Sequence, residues 1–125
     1  WSSLIETDKG YRTAYYSLFD KQEITYSKEF LKNHHLLEPY LEQKVIKQLI
    51  DISAGWYRIE EKNGKLLFWD LRFGQMGMDV NNASFLWYYE LSIDESGNVS
   101  AIKRQPEIKN FKMVFKELFN RIKGN

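Results

Sequence analysis

Two runs rich in aromatic and branched residues, 56–60 and 65–73, flank the tetrapeptide Lys62-Asn63-Gly64-Lys65. Asn-Gly tolerates the positive φ angles that a tight hairpin demands at its two central positions, so the flanking runs are expected to pair as antiparallel strands. Side chains of a strand alternate between faces. Leu67, Trp69, Leu71 and Phe73 therefore fall on one side, and Phe68, Asp70 and Arg72 on the other. An acid and a base thus share one face at a separation of roughly 7 Å along the strand. The run then stops at Gly74-Gln75. Two readings stand side by side. Asp70 and Arg72 form a structural ion pair, as partly buried charges normally do, or they are a polar anchor in an aromatic-lined cleft.

The rest of the chain supplies further elements. A strand over 1–7, turn chemistry at Asp8-Lys9-Gly10, a strand over 11–19, a turn at Asp20-Lys21-Gln22 and a strand over 23–27 predict a three-stranded antiparallel start. A loop over 32–37 carries His34 and His35. Pro39 suits the first turn of a helix. Leu41, Val45, Gln48, Leu49 and Ile52 then repeat at helical spacing until Gly55 ends it. Residues 74–79 hold two glycines and two methionines without a period, which predicts a mobile loop. Strands over 85–93 and 99–104 flank the turn Asp94-Glu95-Ser96-Gly97-Asn98. Beyond Pro106, the residues Ile108, Phe111, Phe115, Leu118, Phe119 and Ile122 make the apolar stripe of a last helix. The expected fold class is α+β: one largely antiparallel sheet of about six to seven strands with two helices packed on it, in the order βββ-α-ββββ-α.

Composition removes several functional classes. A chain of 125 residues with 43% hydrophobic side chains is expected to form one domain, 1–125. Eighteen basic against seventeen acidic residues leave a net charge of +1, which gives no footprint for a nucleic-acid backbone. There is no cysteine, hence no disulfide framework, thiolate metal site or cysteine nucleophile. No apolar run approaches the ~20 residues that span a bilayer. The fragment is therefore expected to be soluble, and its opening at Trp1 suggests a piece cut from a longer chain.

Chemistry-bearing patterns are sparse. The only two histidines are adjacent, so in extended backbone they point apart and make no metal site by themselves. The Asp94 turn has glycine at its fourth position and no glutamate at the twelfth, unlike a calcium loop. No serine lies in a Gly-x-Ser-x-Gly elbow, and no phosphate loop ends in Lys-Ser or Lys-Thr. Asp70 and Glu90 would serve glycoside cleavage only if they faced each other across one bond. Aromatic residues make up 16% of the chain, and Trp87-Tyr88-Tyr89 cannot all face one way. The second, ring-bearing face is either covered, by the N-terminal segment, a partner or a membrane surface, or is a ligand platform.

His35-Leu36-Leu37, Gly55-Trp56-Tyr57 and above all Asp70-Leu71-Arg72-Phe73-Gly74-Gln75 resemble the C-terminal domain of predicted membrane-bound metal-dependent hydrolases of Bacteroidetes-type bacteria. The resemblance covers the whole chain. It implies an extramembrane accessory or recognition domain at the C-terminal end of a multi-pass protein in the cell membrane. Catalysis and any divalent metal would then belong to the membrane half, with no cofactor in this domain. The expected partners are that membrane half and a small molecule or lipid head group. Asp70, Arg72, Gln75 and His35 are the candidate residues, lining a polar notch beside exposed rings. The alternatives are a self-contained ligand-binding or sensor domain and a small hydrolase in its own right.

Overall fold

The computed structural model describes residues 1–75, 81, 85–106 and 111–124. The element order is β1 (Ser2–Glu6), β2 (Gly10–Tyr15), β3 (Phe30–Leu31), a 3-10 helix (His34–Tyr40), α1 (Lys44–Ile52), β4 (Tyr57–Lys62), β5 (Lys65–Gln75), β6 (Phe85–Ile93), β7 (Val99–Arg104) and α2 (Phe111–Ile122). The class is α+β and, among the described residues, every strand pair is antiparallel, but the strands form two sheets instead of one. β1-β2-β3 make the first and β4-β5-β6-β7 the second.

The four-stranded sheet is the centre of the molecule, and its two faces are buried by different partners. On one face Tyr57, Ile59, Phe68, Leu91 and Val99 meet Leu37 of the 3-10 helix and Ile46 and Leu49 of α1. On the other, Leu67, Trp69, Leu71 and Phe85 meet Tyr11 and Phe30 of the first sheet. The alternation expected for residues 67–71 is thus realised, and the ring-bearing second face is covered by the N-terminal segment. A sheet apolar on both faces needs a layer on each side, which explains why β1–β3 stack on it and do not extend its edge.

The Asn63-Gly64 hairpin forms as expected, with φ of 52° and 73° at these residues. Residues 85–93 and 99–104 are strands with the expected bounds. In their turn Asp94 Oδ1 accepts both the Ser96 and the Asn98 N–H, each at 2.9 Å, so one carboxylate oxygen holds the turn closed.

Two strand expectations are corrected. The strand expected over 11–19 stops at Tyr15, because the Asp20 carboxylate accepts the Ser17 N–H at 2.9 Å and Asp20 N–H returns to Ser17 O at 3.0 Å. The third strand is Phe30–Leu31 and not 23–27. At Ser27 the chain makes one rung to β2: the Ser27 N–H donates to Thr13 O at 2.7 Å, but the Thr13 N–H returns to the Ser27 hydroxyl oxygen at 2.9 Å, which takes the place of a main-chain acceptor, and the ladder does not propagate. β3 comes close to β2 where the latter has no side chain, since a Cβ on Gly10 would lie 2.2 Å from Phe30 O.

The helix expected from Pro39 to Gly55 is two helices. Pro39 lies inside the 3-10 helix, and α1 starts after Gln43, whose extended backbone (φ −68°, ψ 132°) resets the phase. Its amide donates to Gly97 O at 3.3 Å, tying the break to the β6–β7 turn. Ile46 and Leu49 are buried in consequence, while Leu41 and Ile52 are exposed. The last helix is also placed differently. Among the described residues, α2 contributes no side chain to either buried core. Its C-terminal end is fastened instead to the corner after β2. Ile108 and Met76 to Asp79 of the expected loop lie outside the described residues.

Candidate functional site

The register of β5 on β6 shifts between Asp70 and Gln75. Asp70 pairs with Trp87 and Gln75 with Phe85, so β5 advances five residues while β6 advances two. Leu71 in this stretch bonds to the other side, its N–H donating to Trp56 O at 3.0 Å. Such an irregularity parts neighbouring strands and re-aims side chains. A cleft of about 350 Å³ lies beside it, between the two sheets. Ser2, Ser3, Thr13, Arg72 and Gln75 line it together with apolar Leu4, Trp56, Leu71 and Phe85. Gln75 bridges the sheets, its side-chain oxygen accepting the Thr13 hydroxyl at 2.8 Å.

Asp70 lies underneath, 2% exposed. Its carboxylate is held by Arg72 through Nε at 3.0 Å to Oδ1 and Nη2 at 2.7 Å to Oδ2, and it also accepts the Arg72 main-chain N–H at 3.1 Å. The ion-pair reading of these two residues is therefore realised. The carboxylate bonds raise the Arg72 guanidinium above its ordinary pKa, which keeps it charged. Arg72 also sits 4.9 Å from the centre of the exposed Phe73 ring. Its Nη1 stands outside the Asp70 pair.

Of the four residues singled out from the sequence, Arg72 and Gln75 line the cleft, and Asp70 orients Arg72 from below. His35 is exposed on the 3-10 helix and is not among the residues lining the cleft. Its neighbour His34 is the integrated one. It stacks on Tyr57 at 3.9 Å between ring centres, and Tyr57 stacks on Phe68 at 4.6 Å. His34 Nε2 lies 2.7 Å from Tyr57 O, which requires the tautomer protonated at Nε2 in the neutral ring. Asp70 and Glu90 occupy opposite faces of the sheet, as their partners Trp87 and Leu67 show. Glu90 is bound by Lys65 at 2.5 Å and Arg104 at 2.9 Å, so the two carboxylates cannot act across one bond. Among the described residues, no three His, Asp or Glu side chains gather where they could hold a metal ion.

No protein-family model, curated protein or solved structure matches this chain.

One buried charge that the sequence did not single out, Arg58, lies between the sheets without being among the residues that line the cleft. Arg58 is 8% exposed between the sheets. Its Nε donates to Leu31 O at 3.2 Å, and its Nη1 is 3.5 Å from Glu60, which also accepts the Trp69 indole N–H at 3.1 Å. Burial pushes the Arg58 pKa down and Glu60 opposes the shift. The signal was available in part: Arg58 and Glu60 are two apart on one strand face, the same pattern as Asp70 and Arg72. Among the described residues, no helix is long and apolar enough to cross a membrane.

Proposed function

We propose that this chain is a recognition domain whose inter-sheet cleft receives a small amphipathic ligand or a short segment of a partner. The observation that carries the reading is the cleft itself. Its volume suits a small molecule, it combines apolar walls with hydroxyl, amide and guanidinium groups, and a buried carboxylate pre-orients Arg72 at its edge. In this reading Arg72 offers a charged donor to an anionic or carbonyl group, while Trp56 and Phe85 cover the apolar part of the ligand.

Amide shifts of the isotope-labelled chain, titrated with small carboxylates, phosphates and aromatic amides, test this reading. Movement centred on Thr13, Trp56 and Gln75, abolished by filling the cleft with Ser3→Trp, is the expected result. Shifts that stay away from these residues, or survive Ser3→Trp in a folded protein, overturn it.

Membership in a longer membrane protein resembling metal-dependent hydrolases belongs to the same proposal, with catalysis in the membrane half. It is supported by the Asp70 to Gln75 motif, of which Leu71, Arg72, Gly74 and Gln75 line the cleft. The size of the native polypeptide in cell fractions tests it separately. A chain much larger than 15.0 kDa that needs detergent for release is expected, and a free chain of this size overturns it. In that case the self-contained ligand-binding domain is the reading left by the cleft.

A further inference from the structure

The end of α2 is fixed to the corner after β2. Arg121 binds Asp20 and donates to Tyr15 O at 2.6 Å, and the Ser17 hydroxyl donates to Ile122 O at 3.0 Å. This anchoring orients the helix but leaves apolar side chains in solvent: Phe119 is 61% and Ile122 52% exposed. They do not stand alone. Trp1, Leu18 and Phe19, at 76%, 69% and 66% exposure, border one groove with Leu118 and Ile122. A contiguous patch of this kind on a small protein marks an interaction surface.

The charges beside the patch indicate its occupant. Lys112, Lys116 and Lys123 are all exposed and stand at positions −7, −3 and +4 from Phe119. At that spacing all four share one side of the helix. The arginine of the helix is already committed to Asp20, and Glu117, two residues from Phe119, falls away from that side. Lysine stems lie along apolar surface while their ammonium groups reach outward. An aromatic and aliphatic strip edged by lysines, with a tryptophan nearby, fits the boundary between acyl chains and anionic head groups. A second copy fits poorly, because a two-fold contact through this patch would bring one lysine row towards the other.

We propose that the patch formed by α2, Trp1, Leu18 and Phe19 is a seat for an anionic membrane surface. It rests on this surface alone and needs neither the cleft nor a longer parent protein. The helix lies in the plane of the interface, with Phe119 and Ile122 entering the head-group boundary and the three lysines meeting lipid phosphates and carboxylates.

Co-sedimentation of the 125-residue chain with phosphatidylcholine vesicles, with and without phosphatidylserine, tests the proposal. Binding should require phosphatidylserine and weaken as salt is raised. Replacing Lys112, Lys116 and Lys123 together by Gln should weaken it on the order of 100-fold, from about fivefold per lysine. Phe119→Ser should abolish it while the circular dichroism is unchanged. Should a variant fail to fold, quenching of the unaltered chain's fluorescence by brominated lipid provides the second measurement, since Trp1 is the exposed one of its four tryptophans. Absence of binding to phosphatidylserine vesicles, binding indifferent to these substitutions, or a dimer in light scattering that Phe119→Ser dissolves each overturns the proposal.

Discussion

Arg121 and Asp20 form a two-pronged ion pair across a sequence separation of 101 residues, Nη1 to Oδ1 at 2.5 Å and Nη2 to Oδ2 at 2.6 Å. The Asp20 side chain is only 4% exposed. The same carboxylate ends β2 by capturing the Ser17 N–H, so one residue both turns the chain and receives the last helix.

Asp20→Asn should therefore loosen two features at once. It removes the charge assistance from both bonds to Arg121, and a loss of roughly 1.5–3 kcal/mol is expected for charged hydrogen bonds of this kind. Hydrogen exchange should rise in α2 and at Ser17 while the β4–β7 amides keep their protection. Equal acceleration across the four-stranded sheet would contradict this division.

Asp70 and Arg72 are a second pair with unequal burial, 3% and 34% side-chain exposure. Arg72→Ala strands a buried carboxylate, whereas Asp70→Ala leaves a cation that water can reach. Arg72→Ala should consequently be the more destabilising, by about 1–3 kcal/mol for the unsatisfied group. The double variant should recover part of that loss. Denaturant midpoints of the three proteins measure the difference.

His34 sets a response to acid. Burial holds its pKa below the ordinary 6.5, with the Tyr57 carbonyl opposing, nearby Lys32 adding to the depression and Glu6 opposing it. A base depressed on folding binds its proton more readily in the unfolded chain. Its contribution to stability is complete above pH 6.5 and is lost as pH falls through the folded-state pKa. Thermal midpoints measured from about pH 8 to about pH 5 should fall, and the fall should be shallower in His34→Phe, which keeps a ring against Tyr57.

Tyr11 sets the opposite limit. Burial, reinforced by Glu6, pushes its phenol from 10.0 up to about 12, and its hydroxyl donates to Gly55 O at 3.3 Å. An acid raised on folding gives its full stabilisation below the unfolded value. Between pH 10.0 and about 12 only the unfolded chain ionises, so stability should decline there. Tyr11→Phe should flatten this decline, and phenolate absorbance should show Tyr11 titrating late.

Gly10→Ala tests the close approach of β2 and β3. A Cβ 2.2 Å from Phe30 O and 2.9 Å from the Glu29 side chain forces main chain to move. A cost of about 1–3 kcal/mol, typical of overpacking, is expected. Exchange at Leu31 and Lys32 should rise first, since Lys32 N–H is bonded to Lys9 O at 2.9 Å.

The two hairpins of the second sheet, the faces on which residues 67–71 lie, and the pairing of Asp70 with Arg72 were legible in the order of residues alone. These follow from turn chemistry and from a side-chain period of two, which act over a few residues. Long-range packing settled that the strands split into two stacked sheets, that Phe30 and not Glu23 begins the third strand, and that the helix restarts after Gln43. The placement of Thr13 against Gln75 and of Asp20 against Arg121 belongs to the same class. The physical reason is competition. Local patterns leave several segments able to satisfy the same donors or cover the same apolar face, and the choice falls to contacts between residues tens of positions apart. At Ser27 a hydroxyl replaced one main-chain acceptor of a ladder, and at Gln43 an amide bound to a distant turn outcompeted a helix.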